Sequence, residues 1–289
     1  ARPAIAAGAA LALMETLADF GVSSYFGIQT FSAGIYKAWL AMDNRIAAAQ
    51  LATVLLVVVM VLLNLEHRAQ ERMRFSSVRG ARAGAVEAQA APLAGIRLAA
   101  VWVVCTVPVL LGFVLPVIFM LRPLAADWSV LPWTGFVAWS YNSVRLGMVT
   151  ALVAVAMALL LAFSARRESG RFTRAVVQLA GLGYAIPGAV IVVGLLLPVG
   201  WLQAVAPDTR IGYVMTATAF GLVWAYLVRF CAVALQSVQS GYARIPASFD
   251  DSARMLGTAG FGLMRRVHWP LLRRSTAAAA LLVFVDVMK

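Results

Sequence analysis

Lysine is almost missing from this 289-residue chain: of 24 basic residues only Lys37 and Lys289 are lysines. A Walker loop needs Gly-Lys-Ser/Thr, because its lysine reaches the bound phosphates. Neither lysine stands in that setting, so the sequence reads as a non-enzymatic chain that binds no cofactor itself. Any ATP it depends on is spent by another subunit. Histidine is as scarce. His67 and His268 lie in separate polar stretches with no clustered ligands around them, which excludes a stable metal site of the usual spacing. The two cysteines, Cys105 and Cys231, both fall inside apolar runs and read as packing residues. Acids are few, twelve against 24 bases, giving a net charge of +12. No basic surface interleaved with aromatics accompanies that excess, so nucleic acid is not an expected partner. A signal peptide's basic start and small-residue cleavage site are missing too. The chain opens on Ala1-Arg2-Pro3 and closes on Asp286-Val287-Met288-Lys289 inside a hydrophobic run, and reads as a piece of a longer protein.

What remains is overwhelmingly apolar. Hydrophobic residues make up 62% of the chain, against the ~45–50% usual for globular domains. Seven stretches predict membrane-crossing helices: 3–20, 47–65, 98–121, 144–163, 176–199, 214–235 and 275–289. The fold class is therefore an all-α membrane protein, a multi-span helical bundle with about seven spans and a lipid bilayer as solvent. The arginines set its direction. The stretches 66–97, 164–175 and 236–274 carry six, four and six Lys/Arg, whereas 21–46, 122–146 and 200–213 carry two, two and one. Positive charge collects on the cytoplasmic side of bilayers, so the first set is predicted to lie inside.

One segment of that inner set stands out. At 248–270, Asp250 and Asp251 open a helix-compatible run through Ser252 and Ala253, and Gly257 punctuates it. Acids suit the positive end of a helix, and a glycine suits its stop. A second short helical run follows and is expected to end before Trp269-Pro270, since proline cannot continue a helix. The shape is helix, glycine corner, helix, with little side-chain bulk at the bend: a knob another protein could grip. The bland reading is an ordinary basic cytoplasmic loop.

The spacing Asp251-Ser252-Ala253, three residues, Gly257, nine residues, Val267, then Trp269-Pro270 resembles the EAA loop of ABC-importer permeases. Asp251 replaces the family's Glu, Ser252 its first Ala, Val267 its Ile and Trp269 its Leu. The resemblance implies the type I importer permease fold and a bacterial inner-membrane location. It also implies a coupling helix docked on ABC ATPase subunits, two in the assembly, and cargo delivered by a periplasmic solute-binding protein. A further pattern is internal. Residues 2–18 overlay on 273–289, matching alanines 7 and 278, alanines 9 and 280, leucines 11 and 282, and placing Glu15 on Asp286. On this reading 1–65 ends a first permease half, 66–97 is a mobile cytoplasmic basic linker, and 98–289 is most of a second half. That layout, with the strings at 12–21, 30–36, 183–188 and 284–289, is similar to the fused two-half permeases of ferric-iron importers. Permeases of the same layout are associated with thiamine, phosphonates or polyamines. A reading from another class is an ATP-independent secondary transporter or channel, which has no use for the 251–270 spacing.

The candidate translocation path is drawn from residues that are costly in a membrane. Glu15 and Asp19 share one helix face, ~20 and ~26 Å along from Arg2. Carboxylates at such depth face protein or water. Asp19 at the interface, with Glu15 bonded to a neighbour, is the alternative. Tyr184, Pro187 and Gly188 mark a backbone break that lines a cavity or is a packing kink. Asp286 is the second-half counterpart of Glu15. Arg229, inside a span, either pairs with Asp286 or snorkels inward.

Overall fold

A computed structural model describes residues 2–80, 94–130, 132–167, 170–246, 248–258 and 260–288. All regular structure among these is helical. Two compact units are present, residues 1–73 with 142–289, and residues 74–141.

In the first unit, α1 (Arg2–Ala18) leads through α2 (Gly21–Tyr25) and α3 (Phe31–Tyr36) into α4 (Arg45–Gly80), whose last residues belong to the second unit. The first part of the 66–97 stretch therefore continues a helix, while 81–93 lie outside the described residues. The second unit holds α5 (Ile96–Val109) and α6 (Leu115–Ala126), joined by a π-helical turn at Leu110–Val114. The turn lies between Pro108 and Pro116 and keeps the run continuous, because a widened turn re-aims carbonyls that proline leaves without a donor. Next comes α7 (Trp133–Arg167), a helix of 35 residues whose start lies in the second unit. Most of the 122–146 stretch, expected on the outer side, is thus helical, and Trp128 packs 4.4 Å from Trp133 across its turn.

The rest returns to the first unit. Short α8 (Arg171–Leu182) is separate from α9 (Gly188–Val205), followed by α10 (Ile211–Ala217), α11 (Ala219–Tyr242), α12 (Ser248–Met255), α13 (Phe261–Leu263) and α14 (Trp269–Met288). The sequence placed one span over 176–199. The structure instead ends α8 at Leu182, turns through Gly183–Ala185, extends at Ile186, and starts the apolar crossing at Gly188. Pro187 is the reason: it forces the preceding residue out of the helical region and then caps the new helix. A second correction concerns Pro270. It does not end the run from Phe261; a π turn at Met264–His268 carries the chain straight into α14, and the widened turn re-aims the carbonyls that the proline leaves without a donor.

Among the described residues, five helices are long and apolar enough to cross a membrane: 45–65 of α4, 96–126, α7, α9 and α11. The chain is a multi-span all-α membrane protein. α1 and α14, counted as spans from the sequence, fall outside this set; α1 has only 17 residues, and α14 carries Arg273, Arg274 and Asp286.

Two cores hold the first unit. Ala151, Ala154, Ala158 and Ala162 repeat along one face of α7 and let its backbone approach α11 (Ala234, Leu235, Val238) and α14 (Leu272, Ala279, Val283). Small residues at this spacing are how helices pack where apolar burial gives no net drive. Ser237 of α11 adds a hydrogen bond to the Ser275 carbonyl of α14, 3.2 Å long. The other core sets Ile35 and the α4 face of Ala48, Ala52, Leu55 and Val59 against Ala189 and Val193 of α9.

Candidate functional site

The corner at 248–270 is built as a helix stop of one known kind. Gly257 sits at φ +77°, its N–H bonded to the Arg254 carbonyl at 2.9 Å, and the Thr258 N–H reaches the Ala253 carbonyl at 2.9 Å. That pair of bonds is the Schellman arrangement, which needs a left-handed residue and so favours glycine. Around the bend the surface is not small, as the sequence suggested, but strongly apolar. Met255 is 88% exposed and Leu256 85%, with Phe261 close behind. Asp251, Ser252, Trp269 and Pro270 are exposed, Val267 is half-buried, and Ala253 is buried. Asp251 meets Arg254 at 3.5 Å, a solvent-facing pair that adds little stability.

Asp250 does something different from its neighbour. It is buried and faces back toward the bundle, where Arg166 at the end of α7 grips it in a fork, Nε to Oδ2 at 2.7 Å and Nη2 to Oδ1 at 3.2 Å. The same guanidinium donates to the carbonyls of Tyr242 (3.3 Å), Ile245 (3.1 Å) and Pro246 (3.1 Å), the loose end of α11. All five of its donors are used. His268, 1% exposed, places Nε2 2.9 Å from Asp250 Oδ1 and Nδ1 3.2 Å from the Tyr242 hydroxyl. Since a carboxylate only accepts, Nε2 carries the proton, and the Tyr242 hydroxyl completes the bonding of the ring at Nδ1. Burial pushes the Asp250 carboxyl up, but the bonds and charges of Arg166 and His268 outweigh it and hold it below its usual range. Three helices and the corner thus meet in one satisfied polar knot.

Arg166, Tyr242 and His268 escaped the sequence reading. The only signal for Arg166 was a basic pair closing an apolar run, and nothing links it to a carboxylate 84 positions away.

The path candidates converge in part. The Tyr184 hydroxyl donates to Glu15 Oε1 at 2.8 Å, across 169 positions of sequence, and the charges of Asp286 and Arg229 also reach that phenol. Glu15 from α1, Tyr184 from the backbone break, Arg229 from α11 and Asp286 from α14 therefore form one neighbourhood. Arg229 lies over the Phe230 ring at 5.6 Å, its Nε buried without a hydrogen-bond partner among the described residues. Asp19 is elsewhere: it accepts from the Val22 and Ser23 amides and tethers the start of α2. Pro187 and Gly188 open α9, and a side-chain carbon on Gly188 would meet only the mobile tip of Arg229 at 2.8 Å. Gly183 is far tighter, since such a carbon would lie 1.9 Å from the Val228 carbonyl oxygen. Gly183→Ala should therefore part the break from α11 and lower stability by ~1–3 kcal/mol, while Gly188→Ala stays close to wild type. Thermal unfolding in detergent checks the contrast; equal melting of the two variants would contradict the packing.

With this geometry in place, comparison with curated proteins finds a match to the "Fe(3+)-transport system permease protein FbpB 2" of Haemophilus influenzae. Identity is 24% over 293 residues, covering 100% of this chain and 55% of that protein. The chain is similar to an iron-transport permease. It spans about half the length of that relative, and the likeness agrees with the importer-permease resemblance carried by 251–270. No protein-family profile matches the chain, and no solved structure does.

Proposed function

We propose that this chain is part of the permease of an ATP-driven ABC importer of the bacterial inner membrane, with the type I fold. The stretch 248–270 is its docking face for separate ATPase subunits, two per assembly. What carries the reading is the corner itself: exposed Met255, Leu256 and Phe261 around a left-handed Gly257, strapped from behind by Arg166, Asp250 and His268. A contact surface that protrudes yet cannot swing freely is suited to receiving force. The two-half layout, with 1–65, 66–97 and 98–289 as end of one half, linker and most of the other, is supported by the relative's greater length.

Ferric iron is the proposed cargo, received from a periplasmic solute-binding protein. The relative's name points there, and so does the meeting of Glu15, Tyr184 and Asp286, all hard oxygen donors of the kind small, highly charged cations prefer. Thiamine, phosphonate and polyamine remain the competing cargoes; uptake assays with each separate them.

The docking role is tested at Gly257, where, its chain neighbours aside, an added carbon would meet no described residue within 4 Å. Gly257→Val must adopt a left-handed backbone at a cost of ~1–2 kcal/mol, so it should lose capture of the co-expressed ATPase. Gly257→Asn, which tolerates that region, should keep most of it. Equal capture by both variants, or cargo flux through the intact protein in liposomes without nucleotide, would favour the secondary-transporter reading.

A further inference from the structure

A cleft of about 270 Å³ opens between the end of α7 and the coupling corner. One water needs only ~10–15 Å³ measured in this way, so the space admits a polyatomic group. Its floor is the polar knot already described, with Phe163 beside it, and its rim carries Arg167 from α7 and Arg254 from α12. The charges do not balance. Asp250 is committed to Arg166 and His268, and Arg166 has spent every donor, which leaves the Arg167 and Arg254 guanidiniums on the cleft with only the exposed Asp251 as a counter-charge among the described residues. Arg167 is exposed and makes no hydrogen bond or ion pair to any described residue. Arg254 has only the long, solvent-facing contact with Asp251.

Two planar forks lining one concave space suit the oxygens of a tetrahedral phosphate better than a carboxylate or a halide, because each offers paired donors. We infer that this cleft binds a phosphate group that bridges Arg167 of α7 to Arg254 of α12, stapling the coupling helix to the end of a span. The chemistry is shared by the headgroup of an anionic phospholipid and by free phosphate. Basic clefts at the cytoplasmic ends of spans are places where lipid headgroups collect. The bound group has a mechanical effect: it restrains the corner on the side that the Arg166–Asp250 grip leaves open.

The test titrates the intact protein in neutral detergent with phosphatidylglycerol in one arm and inorganic phosphate in the other, ionic strength held constant with sodium chloride. The readout is the melting temperature. A saturable rise is expected, and in the double variant Arg167→Gln/Arg254→Gln its half-saturation should move up about tenfold for each fork removed. The double Arg→Lys variant, keeping charge but losing the paired donors, should fall between them and serves if the glutamine form does not fold. A rise with the lipid alone identifies a headgroup site, and a rise with both identifies a phosphate site open to either source. No rise in the wild type, the same rise from sodium chloride alone, or unchanged half-saturation in the variants would overturn the inference.

Discussion

Arg166→Met will destabilise the protein by ~3–5 kcal/mol, the usual loss when one member of a buried ion pair is removed and the other stays charged. The side chains concerned are 18% and 10% exposed, so solvent can do little to compensate. Three carbonyls at the end of α11 would lose their donor in the same step. The partner substitution supplies the check. In Arg166→Met/Asp250→Asn the stranded charge is gone, and part of the loss should return, giving a positive coupling in a double-mutant cycle. Denaturant unfolding in detergent measures all three variants. A single variant within ~1 kcal/mol of wild type, where ordinary surface substitutions lie, would mean that the knot is ornamental. Transport should fall together with stability, because a corner no longer fastened to α7 passes a push on to α14 alone.

The second large effect concerns the acids. Glu15→Gln together with Asp286→Asn should cut ferric uptake at least ~10-fold, the factor that only ~1.4 kcal/mol represents, with ATPase capture unchanged. Neutral amides keep the shape and lose the charge, so assembly and passage separate cleanly. Tyr184→Phe is the informative companion. It removes the 2.8 Å bond to Glu15 without touching either carboxylate, and a smaller loss is expected. Uptake at wild-type level in the doubly neutral variant would take the path away from this neighbourhood.

How much of this was legible beforehand follows from the range of the interactions. Glycine at 257, acids at 250 and 251 and proline at 187 act within a few residues of themselves, and their local consequences could be read directly. The convergence of Glu15 and Asp286 was half-legible, through the overlay of 2–18 on 273–289. Its meeting point at Tyr184 was not, because a hydrogen bond between positions 169 apart leaves no periodic trace. Asp250 and Asp251 look equivalent in sequence, yet one faces a buried arginine and the other faces solvent. Helix phase separates them, and phase depends on what the helix lies against. Pro270 misled for a related reason: a ring that usually stops a helix is absorbed where the turn before it widens, and that π turn leaves no pattern in the sequence.

That π turn joins the second arm of the corner, from Phe261, to the final helix in one continuous run. From His268 to Asp286 this run spans 18 residues, ~27 Å at 1.5 Å each. Its near end is held in the knot and its far end carries an acid of the proposed route, with no flexible joint between them. On the proposed function, a displacement of the near end would reach the acid at the far end as a tilt of one helix. Stroke and release would then be one event rather than two steps in sequence.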